Sequence, residues 1–253
     1  MNVYLKTLAR ASTTCLIAVS SIVFAQNYER EERLADEVIA QLVVGDAVRI
    51  ATASGKAFLG LYAQGDGKKK PAVLLIHGVG THPDFGVTGQ LRSRLNDLGY
   101  TTLAIQMPVQ ARDAKLEDYY PTVFANAKDR IATAVAWLRA KGFEKPVVLS
   151  HTMGSWMVNE YLDQHHSKNE FSAWVCMSLT GSFSWTTRSY GLPIFDVYAE
   201  KDIPVSVSSA WRRKTALLQN QSRQYQVAGA GVDYVGKEAP LAEEVALFIG
   251  NLN

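Results

Sequence analysis

Apolar residues recur along this chain with two different periods. Over residues 28–42 they fall at Leu34, Val38, Ile39 and Leu42, the three-and-four spacing of an amphipathic helix. Residues 43–52 and 57–63 predict two strands joined by the turn Ala53-Ser54-Gly55-Lys56, an opening antiparallel pair. Residues 71–76 then form a continuous apolar run, as expected of a strand buried on both faces. Further strands are predicted at 101–106, 147–150, 173–179, 194–198 and 224–227. Helices are predicted at 123–140, 156–164, near 208–218 and at 241–252. Short double-faced strands alternating with helices imply a mostly parallel sheet covered by helices on both sides. No repeat, low-complexity tract or long linker divides the chain, so residues 26–253 are expected to form one α/β domain.

The first 25 residues stand apart from that pattern. Lys6 and Arg10 precede a mostly apolar stretch over 11–24, and Val23 and Ala25 supply small residues ahead of Gln26. This is the form of an export signal cleaved before Gln26. The apolar run is short and rich in Ser and Thr, which argues against a membrane anchor and predicts no stable membrane insertion after cleavage. Cleavage removes two basic residues and leaves 24 basic and 24 acidic ones, a balance that predicts no nucleic-acid partner. The runs Lys68-Lys69-Lys70 and Arg212-Arg213-Lys214 are expected to be solvated faces. Only Cys176 survives in the mature chain, inside an apolar strand, where it reads as an inert core thiol. Export without a disulfide points to a bacterial periplasm or exterior.

Three candidate loops follow predicted strands, at the carboxyl edge where sheets of this kind place ligands. The first is His77-Gly78-Val79-Gly80-Thr81-His82-Pro83-Asp84. The second is Ser150-His151-Thr152-Met153-Gly154, a strand running through a sharp turn into a helix. The third is Ala199-Glu200-Lys201-Asp202-Ile203-Pro204. A small-x-Ser-x-Gly turn of the second kind lifts a nucleophilic serine above a hydrolase sheet; here Thr152 holds the central place. The HG-x-G turn and the residue after the nucleophile then supply backbone donors for an oxyanion, here Val79 and Met153.

These stretches, with Leu103-Ala104-Ile105-Gln106-Met107-Pro108-Val109 and Pro193-Ile194-Phe195-Asp196-Val197-Tyr198, resemble bacterial exported α/β-hydrolase-fold proteins of poorly defined function. The resemblance runs from about Ala57 to the C-terminus. It implies an α/β-hydrolase fold with an antiparallel start and no large lid domain. It also implies Asp202 as the acid of a triad; Asp196, lying within the predicted strand, reads as structural. Where such proteins carry a Gly-x-x-His turn, this chain reads Gly229-Ala230-Gly231-Val232-Asp233-Tyr234, with Val232 in the histidine place. The five histidines are His77, His82, His151, His165 and His166, and none lies in the last third of the chain.

A β-branched residue at the positive φ of such a turn is strained, and an alcohol without a base is a poor nucleophile. The leading expectation is therefore a catalytically degenerate hydrolase-fold protein binding a small molecule or a partner in the former cleft. His77, Val79, His82, His151, Met153 and Val232 line that expectation as oxyanion or ligand-binding residues, with Thr152 and Asp202 in the catalytic places. The alternative is an ester or acyl hydrolase using Thr152 with His82 as an unconventional base. His77 reads as a buttress of its turn, His151 points away from Thr152, and the pair His165-His166 reads as surface. A metal held by His77, His82, Asp84 and His151 matches no known spacing, so no metal or cofactor is expected.

Overall fold

The computed structural model describes residues 26–66, 70–120, 122–165, 169–184, 191–217 and 221–252. The expected export signal over residues 1–25, Lys68 and Lys69, His166 and Leu218 lie outside the described residues. Eight strands form one sheet: β1 (Asp46–Ala51), β2 (Ala57–Ala63), β3 (Val73–Ile76), β4 (Thr102–Ile105), β5 (Val147–His151), β6 (Ala173–Met177), β7 (Ile194–Lys201) and β8 (Arg223–Gly231). Their order is β1-β2-β4-β3-β5-β6-β7-β8. The β1–β2 and β2–β4 pairs are antiparallel, and every pair from β4–β3 to β7–β8 is parallel.

The described helices are α1 (Tyr28–Gln41), α2 (Gly86–Asp97), α3 (Leu116–Tyr119), α4 (Phe124–Ala140), α5 (Met153–His165), α6 (Pro204–Ala216) and α7 (Glu238–Gly250). Alternation along β3 decides which helices pack where. Leu74 and Ile76 join Ile131, Val135, Leu138, Met157 and Tyr161 of α4 and α5 on one face. Val73 and Leu75 join Leu91, Leu95, Leu241, Val245 and Phe248 of α2 and α7 on the other. A strand feeding two cores must be apolar at every position, which is the continuous run seen in the sequence.

Differences from the sequence reading have local causes. Val43 and Val44 do not enter β1, and Val43 is 91% exposed. Strands β7 and β8 run several residues further than expected, with an irregular register between Ala199 and Lys201. Helix α2 has no counterpart in the sequence reading, because Gly86, Thr88, Gly89 and Arg92 break its apolar stripe; all but Gly86 are buried. The expectation of a solvated Arg212-Arg213-Lys214 face is corrected at its centre. Arg213 is wholly buried and its Nε lies 2.9 Å from both carboxylate oxygens of Asp196. Asp196 is thus structural, as expected.

Helix α1 docks on the domain. Asn27 caps it through its side chain, accepting from the Arg30 N–H. Glu31 forms a buried ion pair with Arg130 of α4 at 2.8 Å, and Arg30 donates to the carbonyls of Gln110 and Gly80. The opening helix therefore fastens directly onto the loop that follows β3.

Candidate functional site

The three loops meet as the topology requires, because β3, β5, β6 and β7 are parallel neighbours whose carboxyl ends share one edge. The turn after β5 keeps the geometry of a nucleophile elbow, with Thr152 at φ 51°. Two features of the sequence enforce it. Gly154 packs so closely on the end of β3 that a Cβ there would lie 2.6 Å from the carbonyl oxygens of Ile76 and His77. The Thr152 N–H also bonds back to the Met177 carbonyl at 3.0 Å. The side chain is then held at a dihedral that costs a β-branched residue about 1–3 kcal/mol. Its hydroxyl lies against Gly78, where a Cβ on residue 78 would come within 2.4 Å of Thr152 Oγ1.

His77 is a buttress. It is buried, its Nε2 accepts the Met107 N–H at 2.9 Å, and its Nδ1 faces the Gly78 carbonyl at 2.6 Å. An acceptor at Nε2 fixes the proton on Nδ1. Burial lowers its pKa to about 3, so the ring is neutral and has no lone pair left for catalysis. Val79 and Met153 line the cavity described below, and neither backbone N–H has a protein partner among the described residues.

His151 reaches toward the end of β8, where its Nε2 donates to the Val232 carbonyl at 2.8 Å. Its ring meets Tyr234 edge to face at 6.0 Å. Burial pulls its pKa below the ordinary histidine value, against the opposing pull of the Val232 carbonyl and of Asp202 and Asp233. His151 thus lines the cavity without a hydrogen bond to Thr152. His82 is not brought to the cavity. Its half-buried ring packs on Phe85 at 5.6 Å, its pKa is lowered by burial, and the charges nearest it are Asp84 and Glu37. Its proposed role as base for Thr152 is therefore not supported by placement.

Asp202 follows β7 at the acid position but serves a different partner. Its Oδ2 accepts the Ser178 hydroxyl at 2.6 Å and the Ala199 N–H at 2.9 Å, and Oδ1 accepts the Ile203 N–H at 2.7 Å. Because Ser178 gives its proton to Asp202, the Tyr234 hydroxyl at 2.9 Å donates to Ser178. Ser178 and Tyr234 were missed by the sequence reading. Both sit at positive φ, 53° each. Of the five non-glycine residues with that conformation among the described residues, Thr152, Ser178 and Tyr234 cluster here, and such strain gathers at functional sites. The one available signal was a serine interrupting the apolar run of residues 173–179.

The metal reading fails on geometry. His77 spends both ring nitrogens on backbone, and Asp84 pairs with Arg92 at 2.6 Å. Among the described residues no cluster of three or more metal-ligating side chains forms. Cys176 is buried and burial pushes its thiol up, which makes it inert.

Above the elbow opens a cavity of about 840 Å³, lined by His77, Val79, His151, Thr152, Met153, Ser178, Val232 and Asp233 at its polar end. Phe85, Val87, Leu116, Phe124, Trp156 and Ile203 make its apolar walls. The volume falls in the range of small-molecule sites.

Solved structures share this architecture at low sequence identity. A dienelactone hydrolase from Anabaena variabilis is 15% identical with a TM-score of 0.67, covering 82% of this chain and 97% of that one. Est1E from Butyrivibrio proteoclasticus is 14% identical with a TM-score of 0.62, covering 81% and 98%. An esterase from Pyrococcus furiosus is 14% identical with a TM-score of 0.62, covering 83% and 98%. No curated protein matches the sequence. Residues 19–128 match the sequence profile of a family described as "Protein of unknown function (DUF3530)". That match spans α1 and the His77 loop and ends before Thr152. The elbow at Thr152, the buttressing His77 and the eight-stranded sheet with its antiparallel start are the α/β-hydrolase fold, and that is the fold of this chain.

Proposed function

We propose that this protein is an exported, catalytically degenerate member of the hydrolase fold that binds an apolar small molecule in the cavity above Thr152. One observation carries this reading: among the described residues no imidazole is hydrogen-bonded to the Thr152 hydroxyl, while the acid that would orient one, Asp202, is engaged by Ser178. Without a base an alcohol at neutral pH attacks an acyl carbon poorly. The cavity and its two backbone donors remain, and binding survives the loss of chemistry.

Export rests on the first 25 residues, and among the described residues no helix is long and apolar enough to cross a membrane. Intact-mass measurement of protein from a periplasmic extract tests cleavage before Gln26.

The catalytic half is tested by comparing the purified mature protein with Thr152→Ala on a short-chain nitrophenyl ester and with a fluorophosphonate probe. Equal turnover and no labelling are expected. An oxyanion site and binding alone leave roughly 10³–10⁴-fold acceleration over water, so the comparison between variants decides. Labelling at Thr152, or turnover that depends on it, overturns the reading in favour of a threonine hydrolase.

A further inference from the structure

The place of the missing imidazole is not refilled by another side chain of the same kind. Val232 stands there and the cavity extends to it, bounded by His151, Thr152, Ser178 and Asp233. His151 is the informative member. It is only 8% exposed, and its Nε2 faces a carbonyl oxygen, which accepts and cannot donate. Nε2 therefore carries the proton, and in the neutral ring Nδ1 is left as a bare acceptor. No protein group bonds to Nδ1 among the described residues, and the ring lies on the cavity wall. Nδ1 is not among the buried atoms left unpaired, so it opens to the cavity, and a ligand or water there supplies the hydrogen bond that no protein group makes.

The rest of the lining narrows the ligand. Among the described residues its charged members are Glu117 and Asp233, both acids, with no lysine or arginine. Placed between apolar walls and two carboxylates, an anionic ligand loses its hydration and gains no counter-charge. The occupant must be uncharged, must offer a hydrogen to Nδ1, and must carry a large apolar body. An ester or ether satisfies the walls but leaves Nδ1 unpaired. A hydroxyl satisfies both, since its hydrogen meets Nδ1 and its oxygen remains free to accept.

We infer that the cavity is a binding site for an uncharged, hydroxyl-bearing amphiphile, a phenol or alcohol whose O–H donates to His151 Nδ1. This deepens, and rests on, the reading of the cavity as a ligand site.

Calorimetric titration of the mature protein at pH 7.5 with three probes sharing one tail tests it. The probes are 4-hexylphenol, its methyl ether and 4-hexylbenzoate. The phenol should bind at least about tenfold tighter than the ether, since a site built to hydrogen-bond a hydroxyl rejects the analogue lacking it. The benzoate should bind weakest. His151→Phe should bring the phenol and the ether to equal affinity, and His151→Gln, which keeps an acceptor, should retain part of the preference. If the Phe variant does not fold, the ¹⁵N shift of His151 Nδ1 in the native protein takes its place. It should move with the phenol and stay fixed with the ether. Equal affinity for phenol and ether, tightest binding of the benzoate, or binding of none of the three overturns the inference. These outcomes are separate from the Thr152→Ala comparison, which alone decides whether the site retains chemistry.

Discussion

Ser178 donates its hydroxyl to Asp202 Oδ2 at 2.6 Å, and this contact settles what would be needed to rebuild a triad. Two backbone N–H groups already bond to the carboxylate. A histidine introduced at residue 232 would have to compete with a buried serine backed by Tyr234. The double change Thr152→Ser with Val232→His is therefore expected to hydrolyse nitrophenyl butyrate no faster than the native protein. Adding Ser178→Gly frees Asp202 and suits the backbone, because residue 178 sits at φ 53° and glycine takes that region freely. The triple variant should exceed the double by at least about a hundredfold, the low end of what a positioned general base contributes. Equal rates in the double and triple variants would show that Ser178 is not the obstacle.

Thr152 stays in the left-handed region at φ 51°, so the conflict anticipated from its β-branching is present in the fold. The turn has not relaxed. Thr152→Gly removes strain of about 1–3 kcal/mol and costs roughly 0.5–1 kcal/mol in added freedom of the unfolded chain. A net gain of about 1 kcal/mol is expected by urea denaturation with an unchanged m-value. A clear loss would mean that contacts of the Thr152 side chain, such as its packing on Gly78, outweigh the strain.

Much of this was legible before any coordinates. The β2 limits, the strand-turn-helix at Thr152 and the loop after β3 follow from local pattern and glycine placement. Gly154 is readable because close helix–strand approach is a local demand. Arg213 was not readable, since a basic triplet on a helix predicts solvent. Only the meeting of α6 with β7 brings it to Asp196. Arg92 is hidden for the same reason, its charge being answered by Asp84 and the Val44 carbonyl. Ser178 follows β6 and Tyr234 lies beyond β8, far apart in sequence, and no motif joins them. Their link to Asp202 exists only once β6, β7 and β8 lie side by side.

Acid should destabilise the protein through its buried neutral histidines. The ordinary histidine value is 6.5, whereas His77 titrates at about 3 when folded. Between those limits the unfolded chain binds more protons than the folded one, so stability rises with pH across the window. The contribution is complete above pH 6.5 and is lost progressively as pH falls toward 3. Burial shifts His151 in the same direction. Urea midpoints measured from pH 7.5 to 4 should fall steadily, and His77→Gln should flatten that slope while lowering the midpoint at pH 7.5. A slope unchanged by His77→Gln would mean that His77 is not responsible.

The docking of α1 predicts a coupling between the first helix and the loop that follows β3. Glu31 and Arg130 form a buried pair, and Arg130 also donates to the Gln106 carbonyl at 2.7 Å. The next residue, Met107, gives its N–H to His77 Nε2, and Arg30 of the same helix holds the Gly80 carbonyl. Glu31→Ala leaves the Arg130 guanidinium buried without its counter-charge, a change that costs about 3–5 kcal/mol. Glu31→Gln keeps one acceptor for Arg130 and should cost less. Arg30→Ala removes two part-buried hydrogen bonds to carbonyls, worth about 1 kcal/mol each. If α1 is only an ornament on the surface, these losses stay within the helix. If it holds the loop, hydrogen exchange in Glu31→Ala must also accelerate across residues 77–82, which lie far from residue 31 in sequence. Protection lost in α1 alone, with residues 77–82 unchanged, would show that the loop is held by His77 and the sheet rather than by the opening helix.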